Sequence, residues 1–313
     1  MVKSAKMFQE FLTFCEENKK YSPRTVKAYS IDLRQFDEYL IDKHKITDVK
    51  DVDKAIVKKY ASFLLKNNKV KSVKRKIAVL MSLFNFLVNK KKVKVSPFNG
   101  LDLSIKEEKV APVTLTLGEM KRILKVARLH KKVLLEKNNM YEYIAQIRDI
   151  AILELLFGTG AMVTELCEAN IKDIDLENRK MTINGQGGKK RVVELCCDET
   201  VNSLKAYVEA FEGKTKRKKF FLVNRLGKRI SEQSVRFMVI RHAKMAKIRK
   251  HVTPHTFRHS LSELLIKAGL DKHFVQLFLG NKPNNTYPNA PKINMEKQQS
   301  LLLTKHPRLK IDV

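Results

Sequence analysis

Residues 251–281 read HVTPHTFRHSLSELLIKAGLDKHFVQLFLGN, and their punctuation marks two consecutive helices. Thr253-Pro254 is a helix entry: a hydroxyl that caps free backbone N–H groups, then proline at the first helical position. Phe257, Leu261, Leu264, Leu265 and Ala268 fall at helical spacing on one face, and Gly269 ends the run. A second helix over 271–279 is closed by Gly280. His255, Arg258 and His259 gather within one turn of the first helix's amino end, where backbone N–H groups already favour an anion. An added guanidinium suits a phosphate there. On its own, the stretch reads equally well as a capped core helix carrying surface basic residues.

Working upstream, the apolar helix over 144–157 ends at Gly158-Thr159-Gly160, and another helix begins at Val163. Short strands are predicted over 174–176, 181–183 and 191–195, the last two joined by the turn Gly185-Gln186-Gly187-Gly188. A helix over 199–211, a strand over 220–223 and a basic helix over 231–246 complete this half. Its start is marked by Thr116-Leu117-x-Glu119, a capping box. Residues 5–100 read as four apolar stripes at helical spacing. They run through Phe8, Phe11 and Cys15; Leu33, Phe36 and Leu40; Tyr60, Phe63 and Leu64; and Leu80, Met81, Phe84 and Leu87. Ser96-Pro97-Phe98-Asn99-Gly100 closes that unit, and the charged, aperiodic 106–112 reads as a linker. The expected division is therefore 1–105, linker 106–112, and 113–313: a mainly α chain, with a small β-sheet in an α+β second domain.

The 313 residues are enough for two cores. Lysine and arginine number 63 against 33 acidic residues, a net charge of +30, which argues for a polyanionic partner. Double-stranded DNA is the first candidate, through counterion release. A membrane is excluded by the lack of any apolar run near the ~20 residues of a spanning helix. Cys15, Cys167, Cys196 and Cys197 show no metal-ligand spacing, so no metal or other cofactor is expected, and the thiols read as reduced and cytoplasmic. Absent tryptophan and abundant lysine also fit AT-rich coding, which discounts part of the charge argument.

The order His255-x-x-Arg258, helix, Leu279-Gly280-Asn281 resembles the signature of the tyrosine recombinases, the phage integrase family that includes the Xer recombinases. Three further stretches are similar to that family. They are Gly158-Thr159-Gly160-x3-Thr164-Glu165-Leu166, the hairpin from Asn184 to Leu195, and the tail Asn294-Met295-Glu296-Lys297 to His306-Pro307-Arg308. Ser22-Pro23-x-Thr25-x3-Tyr29-x2-Asp32-Leu33-x2-Phe36 resembles the family's amino-terminal core-binding, SAM-like domain. The resemblance implies a two-domain C-shaped clamp whose four-helix first domain and catalytic second domain grip duplex DNA. A tyrosine there attacks a phosphodiester without a metal. Two arginines and a histidine hold the phosphate, and a hairpin lysine protonates the leaving oxygen. The resemblance also implies a homo- or hetero-oligomer, a tetramer on DNA, formed by passing the carboxy-terminal helix to a neighbour, with Leu301, Leu302 and Leu303 as the apolar contact.

The sequence departs from that pattern where chemistry is done. His255 and Arg258 are in register, but the first arginine's position is Met162, a thioether that cannot fork onto a phosphate. The lysine's position is Gln186, the second histidine's is Asn281, and the nucleophile's is Ala290. Tyr287 is a displaced alternative nucleophile, and Lys189 and Lys190 are alternative cations. The reading is a cytoplasmic, nucleoid-associated DNA-binding member whose cleavage is impaired or lost, a pseudoenzyme. Its alternative is an active site-specific recombinase using Tyr287, and a third is an RNA-associated basic protein. Expected DNA contacts are Arg24, Lys27, Lys74, Arg75, Lys76, Lys189, Lys190, Arg236 and Arg241.

Overall fold

The computed structural model describes residues 3–103, 105, 111–185, 188–212, 219–281 and 294–313. The chain divides into two compact units, 1–110 and 111–313, and most of the expected linker lies outside the described residues.

The first unit is built from α1 (Lys3–Glu17), α2 (Pro23–His44), α3 (Lys54–Asn67) and α4 (Val70–Asn89). Ser22 starts α2 as expected, its hydroxyl accepting from the Thr25 N–H. The four stripes meet in one core of Phe11, Leu33, Phe36, Leu40, Tyr60, Leu64, Leu80, Phe84 and Leu87. Two stripe members fall outside it: Phe63 and Met81 stay 40% and 44% exposed. Both lie at the margin of their stripe, where the apolar arc is wider than the contact it makes.

The second unit begins with α5 (Leu117–Glu136), capped by the reciprocal Thr116–Glu119 bonds of a capping box. There follow α6 (Met140–Thr159), α7 (Val163–Glu168), β1 (Ile174–Asp175), β2 (Lys180–Asn184), β3 (Lys190–Glu194) and α8 (Asp198–Ala210). The rest is α9 (Glu232–Met245), α10 (Pro254–Lys267), α11 (Lys272–Phe278) and α12 (Met295–Lys305). The strands form an antiparallel sheet in the order β1-β2-β3, with Ile183 opposite Arg191. The strand expected over 220–223 does not form: Phe220 bridges Asn170 and Val223 bridges Arg229, so its two ends pair with different segments and no ladder can propagate. Helix α6 is buried nearly all round, which explains its apolar composition, and α5, α8 and α10 pack about it.

The carboxy-terminal tail packs into its own domain. Leu302 and Ile311 are buried in the domain core, and Arg308, fully buried, bonds Glu154 of α6. Of the three leucines expected to form the contact of the carboxy-terminal helix, Leu302 is buried in this domain, Leu301 packs at the edge of its core and Leu303 is exposed. His306 is likewise buried, its Nδ1 accepting from the Arg308 N–H, and burial pushes its pKa down to about 4. The unfolded chain binds a proton near pH 6.5 whereas the folded chain does so only near 4. Stability from this group is therefore intact above pH 6.5 and declines as pH falls from 6.5 to 4. Going from pH 7.5 to pH 5 is expected to remove about 2 kcal/mol more from the parent than from His306→Asn, which keeps the cap acceptor but does not titrate. Urea unfolding of both proteins at the two pH values checks this; parallel losses would refute it.

Candidate functional site

Gly160, at the end of α6, adopts φ +59°, a left-handed conformation that lets the chain turn sharply into α7. Met162 then caps α7 with its backbone: its N–H donates to Glu165 Oε2 at 2.7 Å. Helix α10 carries Arg258 at the level of this turn. Arg258 is 7% exposed; its Nη1 donates to the Gly160 carbonyl at 2.8 Å, and its Nη2 donates to the Leu279 carbonyl at 2.5 Å and to Asn281 Oδ1 at 2.7 Å. One guanidinium thus ties the α6–α7 turn to the end of α11. Burial pushes its pKa down to about 10, with Glu165 opposing the shift and Arg191 adding to it, and it stays charged at neutral pH.

Arg191 enters the same place from β3. It forks onto Glu165, Nη1 to Oε1 at 2.7 Å and Nη2 to Oε2 at 2.8 Å, with the two side chains only 14% and 3% exposed. A methyl group added to Gly280 would stand 2.6 Å from Arg191 Nη1, so the guanidinium lies against the Gly280 backbone. The segment 279–281 therefore touches both arginines. His255 is at the surface one turn before Arg258; partial burial and the neighbouring His259, Arg258 and Arg236 hold it below its ordinary pKa, neutral at pH 7 and able to donate or accept.

Of the sequence-derived site residues, the structure brings together Arg258, Asn281 and the backbone of Met162. Asn281 uses its carbonyl oxygen to hold Arg258. Gln186, Tyr287 and Ala290 lie outside the described residues. Lys189 and Lys190 are exposed at the turn end of the hairpin. Arg191 and Glu165 were missed as a pair. Their signal was faint: an arginine on the inward side of a strand and a glutamate one helical turn after position 162, with nothing in the sequence to show that they meet.

Among the expected DNA contacts, Arg24, Lys27, Lys74 and Arg75 are exposed, with Arg75 also paired to Asp32. Lys76 corrects the expectation of an exposed basic face: it is 6% exposed, its ammonium 2.9 Å from Asp32 Oδ1 and bonded to Gln35. Its stem is needed inside and its charge is compensated there, which makes it part of the α2–α4 packing. Arg236 pairs with Glu232, and Arg241 with the buried Asp149, while both keep about half their surface in solvent. Between them α9 exposes Phe237 at 63% and Ile240 at 39%, a mixed apolar and cationic stripe. No group of three or more metal-ligating side chains occurs among the described residues.

Residues 119–288 match the phage integrase family, and residues 8–91 match the N-terminal SAM-like domain of phage integrases. A tyrosine recombinase of Agathobacter rectalis is 33% identical over 300 residues, 95% of each chain. A tyrosine recombinase XerD of Staphylococcus aureus is 28% identical, covering 96% of this chain and 99% of that one. The XerH site-specific recombinase in a post-cleavage complex with its difH substrate has a TM-score of 0.69 at 18% identity, covering 97% of this chain and 83% of that one. A lambda integrase tetramer bound to a Holliday junction has a TM-score of 0.65 at 15% identity, covering 93% of this chain and 80% of that one.

Proposed function

We propose, from the premise that this chain belongs to the phage integrase family of tyrosine recombinases, that it binds duplex DNA in the manner of a recombinase while its strand-cleavage chemistry is impaired or lost. The observation that carries the reading is the state of position 162. Met162 closes the α6–α7 turn, its N–H is spent on Glu165, and its side chain has no donor to offer a phosphate. Groups that stabilise one transition state act cooperatively, so losing several together is not rescued by the remainder. In this sequence Gln186 and Ala290 supply neither an acidic proton nor a nucleophile. The binding surface is spared: the net charge of +30, the exposed cations of α2 and α4, and the α9 stripe. Phosphates meet the cations, and Phe237 and Ile240 suit thymine methyl groups in a major groove. Relatives bound to DNA as dimers and tetramers support assembly on DNA, as a tetramer or as the architectural partner of an active recombinase.

The test mixes the protein with fragmented genomic DNA and denatures it with detergent before recovery. The expected result is DNA bound before denaturation and released after it. DNA that stays attached would overturn the loss of cleavage and make Tyr287 the suspect, to be checked by loss of the adduct in Tyr287→Phe. Duplex binding no tighter than that of structured RNA at matched salt would overturn the DNA reading itself.

A further inference from the structure

We propose that Arg191 is a phosphate-binding residue of this site: the guanidinium missing at position 162 is supplied from β3, and Arg191 and Arg258 together hold one phosphodiester of duplex DNA over the 279–281 segment. This rests on the DNA-binding reading above and adds a residue that the sequence motif did not include.

A guanidinium carries five N–H groups. Glu165 takes two from Arg191, one on each Nη, and the buried Nε–H has no acceptor among the described residues. Each Nη keeps one further N–H beyond its bond to Glu165, and these are the donors left for an anionic oxygen. Arg258 spends three of its own five on the Gly160 and Leu279 carbonyls and on Asn281 Oδ1. Both arginines therefore keep unspent donors, and both touch one three-residue segment, Arg258 at Leu279 and Asn281 and Arg191 at Gly280.

Charge agrees with the count. Arg191 and Arg258 against Glu165 leave a net single positive charge in a largely buried place, matched to the single negative charge of a phosphodiester. Glu165 also fixes the fork, since its carboxylate is held by the Met162 N–H while it orients Arg191. The glycine at 280 is what lets the guanidinium approach so closely.

The experiment measures binding of a fluorescently labelled mixed-sequence duplex by anisotropy across a series of salt concentrations, for the parent and for Arg191→Met, with thermal unfolding as the folding control. The expected result is about tenfold weaker binding and a salt slope shallower by about 0.9, one phosphate contact fewer. A purely structural role would lower the melting temperature and leave the slope alone; an unchanged slope in folded Arg191→Met overturns the assignment while the DNA-binding reading stands. A parent that binds no duplex at low salt overturns that reading and this assignment with it. Where Arg191→Met does not fold, Arg191→Lys is measured instead. It keeps the cation and loses the fork, so the slope should hold while affinity drops about threefold; unchanged affinity overturns the proposal.

Discussion

Arg308→Met is expected to lower the unfolding free energy by about 3–5 kcal/mol. Both Arg308 and Glu154 are inaccessible to solvent, joined by Nε to Oε2 at 2.8 Å and Nη2 to Oε1 at 3.0 Å. Glu154 also accepts from Arg128 Nη2 at 2.7 Å and Thr200 Oγ1 at 3.0 Å, and Arg308 Nη1 donates to the Ile311 carbonyl. Removing the arginine leaves a buried carboxylate facing one partly exposed cation and a hydroxyl, which do not replace the fork. The ion pair as a whole need not be stabilising, because bringing two charges inside has its own penalty. The double variant Arg308→Met with Glu154→Leu should therefore recover most of the loss, about 2 kcal/mol or more. Equilibrium urea unfolding of the single and double variants checks both numbers; a single-variant loss below about 1 kcal/mol would show that the pair is not the anchor described. The consequence reaches function, because this pair and Leu302 fasten the tail to its own domain. Passing the tail to a neighbouring protomer would first have to break it.

Gly160→Ala is expected to cost about 3 kcal/mol, and the loss has two separable parts. One is conformational: φ +59° is strained for any residue with a Cβ. The other is steric, since the new methyl would press into Leu279 Cδ2 and stand 3.0 Å from Leu261 Cδ2. Gly269→Ala isolates the first part: it too has positive φ, +93°, but nothing lies within 4 Å of the added carbon. Its expected cost is about 1 kcal/mol. The difference between the two variants in urea unfolding measures the packing of the α6–α7 turn on α10 and α11. Equal costs would mean that the packing is slack and that the turn does not hold the site. Because the Gly160 carbonyl accepts from Arg258, Gly160→Ala should also weaken duplex binding, whereas Gly269→Ala should not.

Much of this molecule was legible before any fold was known. Helix starts at Ser22-Pro23, Thr116 and Thr253-Pro254, and stops at Gly160, Gly269 and Gly280, are local chemistry: a hydroxyl facing free N–H groups, a backbone angle only glycine takes easily. The apolar stripes are nearly as local, and they erred only at margins such as Phe63 and Met81. The order of motifs along the chain was sufficient to recognise the family. What sequence could not decide was which charges meet. Lys76 reads as one more surface lysine, yet Asp32, a full helix away in the chain, draws it inside. Arg191 and Glu165 lie 26 residues apart, and Arg308 and Glu154 lie 154 apart. Period and capping are set by neighbours within a turn or a pleat, so they can be read along the chain. An ion pair is set by where two distant elements cross and by how far both partners are desolvated, and only the packed structure settles that.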